Sequence, residues 1–263
     1  MVSVVIPVFN KVELTQRCLE SVLRNSRALS ELTVIDNASS DSTPEALLDW
    51  EARFSESGVR FRIIRNEQNV GFGRACNQGI RVSTGAYVAV VNNDTWLMEG
   101  WDQALINEIE AHGLDEVGPF FDERPWLENI DSRAREFLRR NPKGFRQHFV
   151  PILMFFPRAA VERLRFDHGG LFDERFFVTY EDTDLLHRMK QIGLRYGQTS
   201  KCYIWHHSMG TRSTPGLLPS GYEQEGLKLF MDKWGFDPRP AEHTLIERWK
   251  RKWRIGRAKR GRF

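Results

Sequence analysis

The residues with the clearest chemical potential follow a short aliphatic run, where Val88-Ala89-Val90-Val91 stops abruptly at Asn92, Asn93 and Asp94. Such a run is a buried strand, and in an open α/β sheet ligands bind in the crevice beyond the strand ends. Asp94 therefore stands where a metal-bound diphosphate would be held, because Mg²⁺ and Mn²⁺ take hard oxygen donors from a carboxylate, from phosphates and from water. A polar turn is the competing reading and, taken alone, the commoner one. Asp36 closes the aliphatic stretch 32–35, where a carboxylate accepts either the imide N–H of a pyrimidine base or the backbone N–H groups of its own turn. Residues 69–77 carry Gly71-Phe72-Gly73 into a helix. Small residues let the backbone approach a ligand, and the free N–H groups of a helix start favour negative charge. Arg74 there meets either a phosphate or solvent. Glu181 and Asp182 form a second acidic centre, suited to removing a proton from an attacking hydroxyl. The helix dipole alone also favours acids in a first turn.

These positions need elements to hold them. Residues 2–8 read as a buried strand ending near Pro7, Val8 and Asn10, where the backbone can frame a flat ring; 13–25 carries Leu14, Cys18, Val22 and Leu23 at helical spacing. Strands follow at 32–35, 61–64 and 87–91. Helices are expected from the Ser42-Thr43-Pro44-Glu45 start to about 55, over 73–82 and over 101–111. Strands alternating with helices of this length imply βαβ units and a parallel sheet. After Pro119 the pattern changes: 120–148 shows no strand period, although 130–140 suits a helix. Then come a strand at 149–156, helices at 158–164 and 181–192, and a last strand at 201–205. The expected organisation is one α/β domain over 1–246, with a first half to 119, an elaborated second half over 120–246, and a tail at 247–263.

With 263 residues, 41% of them hydrophobic, the chain is long enough for a sizeable core. Cys18, Cys76 and Cys202 are scattered without metal-type spacing, which argues against a disulfide framework or zinc ribbon and fits a reducing compartment. The first residues begin a strand at once, so neither a signal peptide nor a membrane span is expected, and a cytoplasmic location is. The net charge of +3 hides an asymmetry: residues 247–263 carry nine Lys or Arg against Glu247, hence +8, leaving −5 for the remainder. Trp249 and Trp253 lie four apart among those cations. Such a tail could lie on an anionic leaflet at the inner face of the cytoplasmic membrane, where each basic residue contributes about 1 kcal/mol. A solvated terminus is the equal alternative. Nucleic acid is disfavoured because the body is acidic.

In order and spacing, Val4-Val5-Ile6-Pro7-Val8-Phe9-Asn10, Val34-Ile35-Asp36-Asn37-Ala38-Ser39-Ser40-Asp41, residues 66–77, Asn92-Asn93-Asp94-Thr95, Phe172-Asp173-Glu174-Arg175-Phe176-Phe177 and Tyr180-Glu181-Asp182-Thr183-Asp184-Leu185 resemble the family 2 glycosyltransferases. The resemblance covers roughly residues 2–210, and rhamnosyltransferase-like members that build bacterial cell-surface polysaccharides are nearest in character. It implies a GT-A fold with a mostly parallel central sheet, a nucleotide-diphosphate sugar donor linked to UDP or TDP, a glycan or lipid-linked acceptor, and inversion at the anomeric carbon. It also implies roles. Pro7, Val8, Asn10 and Asp36 would face the nucleobase, and Asn69, Gly73, Arg74 and Asn77 the donor. Asn92, Asn93 and Asp94 would hold the diphosphate, Asp94 and His206 the Mg²⁺ or Mn²⁺, with His207 as the alternative to His206. Asp182 would be the base, with Glu181 and Asp184 positioning the acceptor or capping the helix. Where the family usually has two acids, this chain has Asn92, a weaker ligand.

Other readings compete. A dinucleotide-binding loop would follow the first strand and keep a third glycine; here the loop follows the third strand, and Cys76 stands at that position. Residues 210–215 resemble part of the glycine-rich signature of sugar nucleotidylyltransferases, but near the opposite end of the chain. They read better as a loop closing over the diphosphate, with Arg212 touching phosphate. An inactive sugar-nucleotide-binding or scaffold protein is the alternative outside the enzymes, because of Asn92. Trp96, Trp101, Trp126 and Trp205 could stack on acceptor sugars, although most tryptophans pack.

Overall fold

The computed structural model describes residues 1–123, 130–207 and 219–239. Among the described residues, nine strands form a single sheet in the order β3-β2-β1-β4-β8-β6-β9-β5, with β7 also paired to β9. They are β1 Val2–Val8, β2 Leu29–Asp36, β3 Arg60–Arg65, β4 Tyr87–Val91, β5 Thr95–Leu97, β6 Glu116–Asp122, β7 Phe145–Arg146, β8 Leu153–Pro157 and β9 Tyr196–His206. The helices are α1 Val12–Asn25, α2 Thr43–Glu56, α3 Phe72–Val82, α4 Trp101–His112, α5 Ile130–Arg140, α6 Arg158–Leu164, α7 Glu181–Gln191 and α8 Tyr222–Trp234.

The ladders of β1 with β2 and β4, of β2 with β3, and of β6 with β9 are parallel, whereas β8 runs antiparallel to both β4 and β6. Consequently β1, β2, β3, β4, β6 and β9 all point one way. Their carboxyl ends, which include Val8, Asp36, Val91, Asp122 and His206, share one edge of the sheet. β1 is buried along its whole length. Val4, Ile6 and Val8 pack into the core shared with α1, α2 and α4, while Val5 packs with α3, α6 and α7 on the other face. That alternation is what a central strand covered on both sides requires. Pro7 is tolerated because the β4 ladder ends at Val5, so no donor is missed on that side.

The first half follows the hydrophobic pattern closely, and the departures lie where side-chain period is a poor guide. β2 begins at Leu29 rather than 32, and Ser42 sits at the N-cap of α2 without capping it; Asp41 Oδ1 accepts the Thr43 N–H instead, at 3.0 Å. β6 crosses the supposed break at Pro119, β8 is confined to Leu153–Pro157, and β9 starts at Tyr196. β5, β6, β7 and α8 had no counterpart in the pattern. Two of these are strands of three residues or fewer, too short to show a period.

Candidate active site

The carboxyl edge gathers the sequence-predicted residues into two polar corners. The first is made where β4 ends. Asn92 N–H donates to Ile152 O at 3.0 Å and Thr95 Oγ1 donates to Asn92 O at 2.8 Å, which turns the chain directly into β5. β5 then pairs antiparallel with the end of β9, Thr95 opposite His206. This register brings Asp94 and His206 together. Asp94 Oδ1 lies 3.3 Å from His206 Nε2, and both side chains are nearly buried. His207 is placed differently: its backbone N–H donates to Asp94 O at 2.8 Å while its ring lies near Trp205 in an exposed position. Of the two histidines, the structure therefore puts His206 at the carboxylate. Burial alone would lower the His206 pKa, but Asp94 and Glu123 on either side of the ring outweigh it and hold the value up to about 9.

Asn92 Oδ1 is buried without a hydrogen-bond partner, and Asp94 Oδ1, also buried, is met by the His206 ring at 3.3 Å. Buried oxygens are nearly always satisfied, so the orphaned one on Asn92 asks for an explanation. The Asp94 carboxylate and the His206 imidazole nitrogen are donors that suit Mg²⁺ or Mn²⁺. Among the described residues no group of three or more His, Cys, Asp or Glu side chains is arranged to hold an ion by itself. The corner fits a cation completed by substrate oxygens. Asn93 is buried with its Nδ2 donating to Thr15 Oγ1 at 2.9 Å, which fastens the turn to α1.

The second corner joins α3 to the segment before α7, and here the chain's own backbone fills the space expected for a ligand. Gly71 has φ +89°, and a Cβ on it would fall 2.1 Å from Phe177 O, which accepts the Phe72 N–H at 2.9 Å. A Cβ on Gly73 would lie 2.9 Å from that of Phe172. Asn77 is wholly buried, its Nδ2 donating to Phe172 O and Glu174 Oε1 and its Oδ1 accepting from Phe172 N–H. Gly73 and Asn77 thus pack against residues 172–174. Arg74, exposed, spends its Nε on Glu174 O at 2.7 Å. Asn69 Oδ1 accepts from Asn37 Nδ2 and from Gly71 N–H, holding the β3–α3 loop to the end of β2.

At the ends of β1 and β2, Asn10 has φ +54°; its N–H donates to Ser39 Oγ and its Oδ1 accepts from Ser40 N–H. Asp36 is fully buried. Its Oδ1 accepts the Ser39 N–H at 2.8 Å, the turn-capping alternative, while Oδ2 lies 3.5 Å from Arg65 Nε. Pro7 and Val8 are buried within the strand.

The first turn of α7 carries three acids with three fates. Glu181 is buried against Gly73 and adds to the raising of the Cys76 thiol, whose main cause is burial. Asp184, expected at an acceptor or a cap, is fully buried instead, between Arg188 Nε at 3.0 Å, Lys233 Nζ at 2.6 Å and Trp234 Nε1 at 2.9 Å. Lys233 also reaches Asp173 at 2.8 Å, and its hydrogen bonds and those of Arg175 hold that carboxyl well below the usual range despite burial. Only Asp182 is half-exposed, with Oδ1 accepting from Thr183 N–H at 2.6 Å. Trp101 and Trp205 are buried and therefore packing residues; Trp96 donates to Asp131 at 3.1 Å. Arg212, Trp126, the 210–215 loop and the basic tail lie outside the described residues. Sequence reasoning missed Glu123 and Lys233, whose sites are created by pairing between segments far apart in the chain.

Residues 3–167 match the family model described as Glycosyl transferase family 2. Glycosyltransferase AglE of Haloferax volcanii is 34% identical over 119 residues, covering 44% of this chain and 38% of that protein. The uncharacterized glycosyltransferase EpsJ of Bacillus subtilis is 29% identical over 118 residues, covering 45% and 33%. The matched stretch is thus well under half the length of these curated relatives. Among solved structures, the mannosyltransferase PcManGT from Pyrobaculum calidifontis, in complex with GDP-Man and Mn²⁺, superposes with a TM-score of 0.59 at 20% identity, over 81% of this chain and 58% of that one. TarS of S. aureus in complex with UDP gives 0.56 at 14%, over 90% and 72%. These likenesses show the GT-A fold. The match over residues 3–167 shows that the chain belongs to glycosyltransferase family 2.

Proposed function

We propose that the protein transfers a sugar from a UDP- or TDP-linked donor to a hydroxyl of a glycan or lipid-linked acceptor, with inversion, in the synthesis of a cell-surface polysaccharide. The observation that carries this reading is the first corner, where buried Asp94 meets His206 at 3.3 Å in the turn that follows β4. The donor's diphosphate would lie there, with Asp94 and His206 holding Mg²⁺ or Mn²⁺. A divalent ion so placed neutralises charge on the departing diphosphate. The nucleobase lies against the ends of β1 and β2, near Val8, Asn10 and Asp36. Asp182 takes the proton of the acceptor hydroxyl as its oxygen bonds to the anomeric carbon and the bond to the diphosphate breaks on the opposite face. Its half-exposed place in the first turn of α7 supports that role, since its acidic neighbours Glu181 and Asp184 are buried. In this reading residues 1–119 form the donor half, 120–246 the acceptor half, Arg212 contacts phosphate, and the tail holds the enzyme at an anionic membrane surface. No helix among the described residues is long and apolar enough to cross a membrane. The relative bound to GDP-Man and Mn²⁺ supports a metal-held nucleotide sugar.

The test is incubation of the full chain with labelled UDP- and TDP-sugars, acceptor glycans and membrane lipids, with Mn²⁺ or with excess chelator. Label transfer with release of UDP or TDP, abolished by chelator, is the expected result. Release of pyrophosphate would instead identify a nucleotidylyltransferase, and nucleotide binding without turnover an inactive binding protein.

A further inference from the structure

His206 is held between two carboxylates, not one. On the side away from Asp94, its Nδ1 lies 3.2 Å from Glu123 Oε1. The sheet places Glu123 there: β6 and β9 run parallel with Asp122 opposite Trp205, so the residue after each strand pair falls beside the other. Asp122 is not available for this contact, because its Oδ2 takes Tyr203 Oη at 2.6 Å and Arg133 at 3.0 Å. A cation is bound by the neutral imidazole, formed when the charged ring gives up one proton, and whichever nitrogen keeps the remaining proton cannot offer a lone pair. If the proton sits on Nε2 it is donated to Asp94, and the nitrogen facing the corner is closed to an ion. If it sits on Nδ1 it is donated to Glu123, and the Nε2 lone pair points at Asp94.

We propose that Glu123 is a positioning residue that draws the ring proton to Nδ1 and thereby turns His206 into a nitrogen ligand for the divalent cation. The inference rests on the reading of His206 as a metal donor. Ligating histidines commonly donate their second N–H to a carboxylate, and loss of that partner costs about 10–100-fold in metal affinity. Glu123 is exposed over 37% of its side chain and is not among the buried residues of the core.

Mn²⁺ titrated calorimetrically into the full chain with saturating UDP tests this. Glu123→Ala should weaken Mn²⁺ binding by about 10–100-fold, while Glu123→Gln, whose Oε1 still accepts from Nδ1, should recover most of it. UDP binding in excess chelator should be the same in all proteins. Wild-type Mn²⁺ affinity in Glu123→Ala together with a large loss in His206→Ala would overturn the role of Glu123 while leaving His206 a ligand. Wild-type affinity in His206→Ala would remove the underlying reading. Equal losses in the Ala and Gln variants would assign the effect to charge and overturn the tautomer mechanism.

Discussion

The two polar corners at the carboxyl edge are built from the same residue types and do opposite things with them. Around Asn77, Asp173 and Asp184, amides and carboxylates are buried and fully engaged by Phe172, Arg175, Arg188, Lys233 and Trp234. Around Asn92 and Asp94, equally removed from water, Asn92 Oδ1 has no hydrogen bond and Asp94 Oδ1 meets the His206 ring at 3.3 Å. A satisfied network rigidifies, whereas unsatisfied oxygens cost stability unless a ligand answers them. One corner fixes α7 and α8 in place, and the other is shaped for something the protein alone does not supply.

The sharpest way to break this contrast is at the chemistry it serves. Asp182→Asn keeps size and most hydrogen bonding but removes the base, so turnover should fall by about 10²–10⁴-fold with donor binding retained; an active variant would point to another base. Asp184→Ala attacks the satisfied corner and leaves Arg188 and Lys233 buried without their shared partner. Denaturant unfolding should show a loss of about 3–5 kcal/mol, and a loss under 1 kcal/mol would show that this network is not structural. The unsatisfied corner should reveal itself through pH. His206 has a folded pKa near 9, above its ordinary 6.5. Its contribution to metal-free stability is therefore fully present below about pH 6.5 and lost as pH rises towards 9, at most about 3 kcal/mol. His206→Gln should flatten the curve across that window; an unchanged slope would mean that the carboxylates do not hold the charged ring. The smallest effect concerns the tail. Deleting residues 247–263 should reduce co-sedimentation with anionic vesicles at low salt without changing the melting temperature. Equal sedimentation of both proteins would assign any membrane contact elsewhere.

The first half of the fold was legible because its information is local. Buried strands such as Val2–Val8 and Tyr87–Val91 declare themselves by composition, and the helices between them by period. The second half is assembled by pairing across long separations. β8 inserts between β4 and β6, β5 joins β9, and neither event leaves a mark in either segment alone. The site divides the same way. Asp94, His206 and Asp182 were visible as residue types after a strand, after a strand and at a helix start. The burial of Asp184, the occupation of the Gly71 and Gly73 surface by residues 172–177, and the approach of Glu123 to His206 depend on tertiary register. Asp36 shows the remaining ambiguity in physical terms, since one oxygen caps the turn at Ser39 while the other faces Arg65.

The contrast between the corners comes down to Asp94. Calorimetric titration of UDP and of TDP into wild-type and Asp94→Asn protein, each with Mn²⁺ and with chelator, and with unfolding measured on the same samples, separates ligand binding from stability. Asp94→Asn is expected to abolish the gain in nucleotide affinity produced by Mn²⁺, with any loss of metal-free stability confined to pH values below about 9, where His206 is charged. An undiminished Mn²⁺-dependent gain in the variant would contradict it and move the metal away from the end of β4.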